Sequence, residues 1–135
     1  IADQYLNQKI NIVGNNASVG FYVPSNTSGV RNYAIFLNSV EDGDFCIYRS
    51  STNNGNPLSG PLTLRINNIG NLGIGNMSII TAKVHIAAGT AAAGTAPLKL
   101  TSGTNLTTPE NGAFEYDGTN LYFTTGGVRK TVTLV

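Results

Sequence analysis

From residue 81 onward the chain carries too little side-chain volume to fill a core of its own. The stretch "AAGTAAAGTAP" (87–97) is low in complexity, and the strand-like pieces around it, "KVHI" and "LKL", are short. Such a segment is stable only against neighbours, and the nearest neighbours in composition are copies of the same chain. That separates a strand-rich module, residues 1–80, from a Gly/Ala/Thr-rich segment, residues 81–135.

Helix signals are nearly absent. Ala91-Ala92-Ala93 is bracketed by Gly89, Thr90, Gly94 and Thr95 and is too short to nucleate a helical turn. Strand signals recur. "LTLRIN" places Leu62, Leu64 and Ile66 on one face and Thr63, Arg65 and Asn67 on the other, the pattern of a half-buried strand. "VGFYV" aligns Val19, Phe21 and Val23 before Pro24 stops it. "NYAIFLNSV" and "DFCIYRS" are apolar on both faces, as strands covered on two sides would be, and Glu41-Asp42-Gly43-Asp44 makes them a hairpin.

In "GAFEYDGTNLYF" a two-residue Asp117-Gly118 turn would oppose Tyr116 and Thr119. A four-residue loop, Asp117 to Asn120, instead opposes Tyr116 with Leu121 and Phe114 with Phe123. Cross-strand aromatic pairs contribute roughly 0.2–1 kcal/mol each, which selects the four-residue loop. Gly126-Gly127 then leads into "VRKTVTL", where Val128, Val132 and Leu134 share a face that Lys130 interrupts. The fold class is all-β, built from short antiparallel strands and hairpins.

Only 11% of residues are charged and the net charge is +1, so polarity comes from Asn, Thr, Ser and Gly. A hydrophobic content of 41% argues against disorder. Lys and Arg are scattered singly except for Arg129-Lys130, which argues against nucleic acid as a partner. No apolar run approaches the roughly 20 residues of a spanning helix, so membrane insertion is not expected. The lone Cys46 excludes an internal disulfide. Starting at Ile1 without a signal-peptide pattern, the chain reads as a piece of something longer.

"GNLGIG" (70–75) invites a phosphate-cradle reading. A dinucleotide fingerprint needs G-x-G-x-x-G between a strand and a helix, whereas Gly70, Gly73 and Gly75 run G-x-x-G-x-G with no helix after them. A sheet turn with close backbone packing is the better reading of these three glycines. His85, the single histidine, lies opposite Val84 and Ile86 on its strand and points to solvent or a subunit contact; alone it makes neither a triad nor a metal site. Cys46 in its apolar strand reads as a buried, inert thiol.

Glu41, Asp42 and Asp44 offer too few oxygens for calcium and read as a solvated turn. Glu110 and Glu115 could be a glycosidase pair, but no cleft can be argued around them. The Asn-x-Ser/Thr matches at Asn16, Asn26, Asn76 and Asn105 arise by chance in an Asn- and Thr-rich chain. No catalytic, metal or cofactor site is expected, and no enzyme.

One run is similar in wording to a recurring segment of phage tail-fibre and related virion fibre proteins, shared with some bacterial surface fibres. Gly70 to Gly75, Ala82 to Ile86, Ala96 to Thr104 ("APLKLTSGT") and Leu106 to Thr124 ("LTTPENGAFEYDGTNLYFT") carry the resemblance. "NYAIFLN…DGDFCIYRS…LTLRI" looks like the strand-rich module that often precedes it. The resemblance implies an elongated parallel homotrimer in the virion that meets other fibre proteins and helps present a host-adhesion surface. In such fibres a Pro often follows the glycine turn. Here "NMSIITAK" stands in its place, so the linker Asn76 to Lys83 is expected to take a different path. Two other readings stay open: a secreted or cell-surface bacterial fibre, and a carbohydrate-binding β-sandwich formed by residues 1–80. Adhesion to a host-surface glycan would draw on Tyr22, Tyr33 and Tyr48, which can stack on and hydrogen-bond to sugars without charge.

Overall fold

The computed structural model describes residues 12, 14, 17–23 and 28–133. The protein is all-β, with two sheets in two compact units that divide after Gly89. In the first unit β1 (Ser18–Phe21), β2 (Tyr33–Leu37), β3 (Phe45–Arg49), β4 (Leu62–Ile66), β5 (Leu72–Ile74) and β6 (Val84–Ile86) lie side by side in chain order. In the second, β7 (Phe114–Tyr116), β8 (Leu121–Thr125) and β9 (Val128–Thr131) form a three-stranded meander.

The division falls after Gly89 rather than at the composition change near residue 80, because β6 belongs to the first sheet. It does so through a parallel pairing, Leu72↔Val84 to Ile74↔Ile86. Every other pairing among the described residues is antiparallel. A parallel neighbour needs a crossover rather than a hairpin. Residues 75–83 supply it without a helix, and Ile80 within them is buried. "LKL" forms no strand among the described residues.

Both anticipated hairpins form. Leu37 opposes Phe45 across the 38–44 turn, and Asn38 adopts a left-handed φ of 56° there. At the other end Tyr116 opposes Leu121 and Phe114 opposes Phe123, the four-residue register. Asp117 holds that loop, its Oδ1 accepting from the backbone N–H groups of Thr119 and Asn120, each at 2.8 Å. Gly126 and Gly127 close the next turn, which starts β9 at Val128. Pro24 and Leu134, invoked in the strand readings, lie outside the described residues.

Register decides what covers what, because directly opposed residues share a face. Ser18, Phe36, Cys46, Arg65, Gly73 and His85 line up across one side of the first sheet. Its own loops cover that side. The 38–44 turn folds back so that Asp44 meets Arg65, and Ile80 and Met77 of the crossover lie over Gly73. The core sits there, with Ala34, Cys46, Leu62 and Ile80 as its buried apolar residues.

The expectation for "LTLRIN" holds at its start, where Leu62 is buried and Thr63 exposed, and reverses at its end: Arg65 is 1% exposed, while Ile66 is exposed. Nothing in the alternation reveals that the polar stripe of this strand is the one its loops cap. Strands β2 and β3 are likewise covered on one side only, not two: Tyr33 and Leu37 stay exposed.

Candidate functional site

The side opposite Arg65 has no second sheet over it among the described residues, and only Ile12 comes up to it, at the β1–β3 end. From edge to edge it presents Phe21 and Val19, then Tyr33, Ile35 and Leu37, then Phe45 and Ile47. It continues through Leu64 and Ile66 to Leu72 and Ile74, and ends on Val84 and Ile86. Arg49, at the end of β3, is the single charged side chain in that array. Phe21 is 55% and Val84 57% exposed at the two margins; between them Ile35, Ile47, Leu64 and Leu72 are half-buried. A hollow of about 160 Å³ opens on this side, lined by Ile12, Val19, Ile35, Leu37 and Phe45 among others. Stable domains pack at least two layers, so an apolar sheet face of this kind calls for a partner.

The capped side is locked by ions. Asp44 accepts from the backbone N–H groups of Ser39, Val40 and Glu41 at 2.9–3.0 Å, and from Arg65 Nε at 3.1 Å. Glu41 Oε2 lies 2.9 Å from Arg65 Nη2, a charge contact lacking hydrogen-bond alignment. Arg65 Nη1 also donates to the Ser78 carbonyl, tying the crossover down. Burial alone would push the Asp44 carboxyl up, but the backbone donors from Glu41, Ser39 and Val40 outweigh it and hold it below the usual carboxylate value. The Cys46 thiol, buried beside that carboxylate, is pushed up to about 12 and is inert. The acidic turn is thus a buried clamp, not the solvated turn expected of it: Asp44 is buried and only its neighbours face water.

The second unit repeats the two-sided plan. Glu115 and Arg129 share one side, joined through Nε at 2.8 Å and Nη2 at 3.1 Å. Leu106 is moored there, its N–H donating to Glu115 and its carbonyl accepting from Arg129. The hydrogen bond from Arg129 holds Glu115 below its usual value, while Glu110 is exposed. The other side carries Phe114, Phe123 and Lys130 in register, with the two rings 4.8 Å apart. Phe114 is 63% and Val128 56% exposed on it.

Gly70 and Gly75 have left-handed φ of 77° and 100°, whereas Gly73 is a strand residue of β5. A Cβ on Gly73 would stand 2.8 Å from Ile80 Cδ1, and one on Gly75 2.6 Å from Ala87 Cβ, so both serve close approach. Tyr22 is exposed and lays its ring on Gly20, on the capped side of the sheet. Tyr48 shares that side, its hydroxyl 2.8 Å from Ser39 Oγ, while Tyr33 faces the bare side. The three do not share one platform. His85 Nδ1 is engaged by the Thr81 N–H at 3.3 Å. Asn76 is exposed and Asn105 half-buried; Asn16 and Asn26 lie outside the described residues. Among the described residues no group of three His, Cys, Asp or Glu could hold a metal, and no helix is long and apolar enough to cross a membrane.

Sequence reasoning missed the bare face and the ion clamp. The one signal for the bare face was the apolar residues on both sides of β2 and β3; the strand alternation of β4 carries none for the clamp.

Compared with known proteins, the chain matches no family model, no curated protein and no solved structure.

Proposed function

We propose that this chain is a structural, non-enzymatic fibre module of the phage tail-fibre kind that assembles as a homotrimer and helps present a host-adhesion surface on a virion. The observation that carries the reading is the bare apolar side of the six-stranded sheet. A sheet capped by its own loops on one side and apolar on the other is half of a two-layer structure. A chain with 11% charged residues has few means of keeping that side in water. Copies of the chain supply the matching layer, as the resemblance in residues 70–124 implies. The first unit holds a single sheet among its described residues, which does not favour the sandwich reading.

Antibodies raised against the chain and imaged on particles test the placement. Labelling at fibres of virions is expected; labelling of bacterial surfaces alone would replace the virion with the secreted or cell-surface alternative.

A further inference from the structure

The bare side of the first sheet spans six strands of three to five residues. At about 4.8 Å between strands and 3.3 Å per residue it covers roughly 300–450 Å². A stable complex buries roughly 800 Å² per partner. The assembly proposed above therefore has use for apolar surface from the second unit.

That unit leaves two such surfaces exposed, and they differ. One is the Phe114–Phe123 side of the meander. The other is the segment Pro97–Leu100, whose alternating Leu98 and Leu100 read as a strand yet join none. No backbone–backbone hydrogen bond of the described residues reaches positions 96–102; the first one downstream runs from Gly103 N–H to the Tyr116 carbonyl at 2.9 Å. That bond moors the segment at the free edge of β7. There Leu100 joins Phe114 and Tyr116 in lining an open groove of about 330 Å³. Upstream, Leu98 stays 70% exposed, so its own sheet does not take it up.

We propose that the stretch from Pro97 to Lys99 of one copy, upstream of the point where Leu100 meets its own β7, lies as a strap across the Phe114–Phe123 side of the next copy. Leu98 supplies an aliphatic side chain to exposed rings, and Lys99, alternating with the leucines, stays in water. Strap and seat are different patches of the same chain. The contact is thus head-to-tail, and such contacts generate closed rings or open filaments rather than two-fold dimers. A three-membered ring is the closure that the assembly reading, on which this inference rests, requires.

Disulfide trapping tests it in the full chain. Leu98→Cys is combined with Phe114→Cys or with Val128→Cys, and the purified assemblies are oxidised mildly. Cys46, buried and with its thiol held near 12, stays silent. Disulfides require Cα atoms within about 7 Å, so only a seated strap reacts. The expected result is covalent dimers and trimers on a non-reducing denaturing gel from at least one double variant, and not from the single variants. Leu98→Glu should also raise the concentration at which the assembly dissociates at least tenfold. Bridges within single chains only, or no bridges in an assembly that still scatters as three chains, would overturn the strap and leave the assembly standing. A parent chain that is monomeric would overturn the assembly and the strap together.

Discussion

A guanidinium taken out of water has to be matched almost completely, and Arg65 shows how that is done inside a thin sheet. Two carboxylates and a carbonyl converge on it, and Asp44 is itself held by three backbone donors. Removing one partner of such a pair leaves a buried charge unmatched, so Asp44→Ala is expected to cost about 3–5 kcal/mol of stability. Glu41 is 53% exposed at its side chain, and Glu41→Gln should cost less than about 1 kcal/mol. Urea titration of the two variants measures both; equal losses would mean that the clamp does not depend on Asp44.

The pH dependence follows from the same residues. Asp44, Glu115 and Asp117 are all held below their usual values of 3.8, 4.5 and 3.8. A depressed carboxylate stabilises fully above its unfolded value and loses that contribution as pH falls through the folded one. The unfolding midpoint should be flat from pH 7 to about 5 and fall steadily below about 4. A midpoint rising on acidification would contradict the assigned ionic roles.

At the scale of elements, the strands whose partners are adjacent in sequence were the legible ones. The β7–β8 register follows from residues 114–123 alone, since its loop and its aromatic pair are local. The parallel β5–β6 pair was not legible, because nothing in "VHI" says that it returns to the same sheet across nine intervening residues (75–83). The side that the end of β4 turns to the core was misread for a related reason: what covers a face is decided by loops distant in sequence. "LKL" has strand alternation, yet it forms no strand among the described residues.

Gly73 and Gly75 test the β5 element directly. Gly73→Val drives a side chain into Ile80, whose far end can give, at about 1–3 kcal/mol. Gly75→Val adds left-handed strain at φ 100° and a contact with Ala87, so it should cost more than Gly73→Val. Thermal unfolding ranks them; the reverse order would show that the crossover packing, not the backbone, limits this corner.

For the whole molecule, the decisive property is that, among the described residues, each sheet has a polar, ion-paired side and an apolar side with no second sheet over it. The sequence pointed to a need for neighbours only in the segment after residue 80; the broad apolar side lies instead on the six-stranded sheet, where Ile35, Ile47, Leu64 and Leu72 share it. A charge placed there should break the assembly without touching the ion clamp on the other side. Ile47→Glu is accordingly expected to yield dissociated chains at concentrations where the parent stays associated. The most direct test is the molar mass of the parent chain by light scattering at micromolar concentration. The account predicts three chains of 14.1 kDa moving as one particle; a particle of 14.1 kDa that unfolds cooperatively as a stable monomer would contradict it.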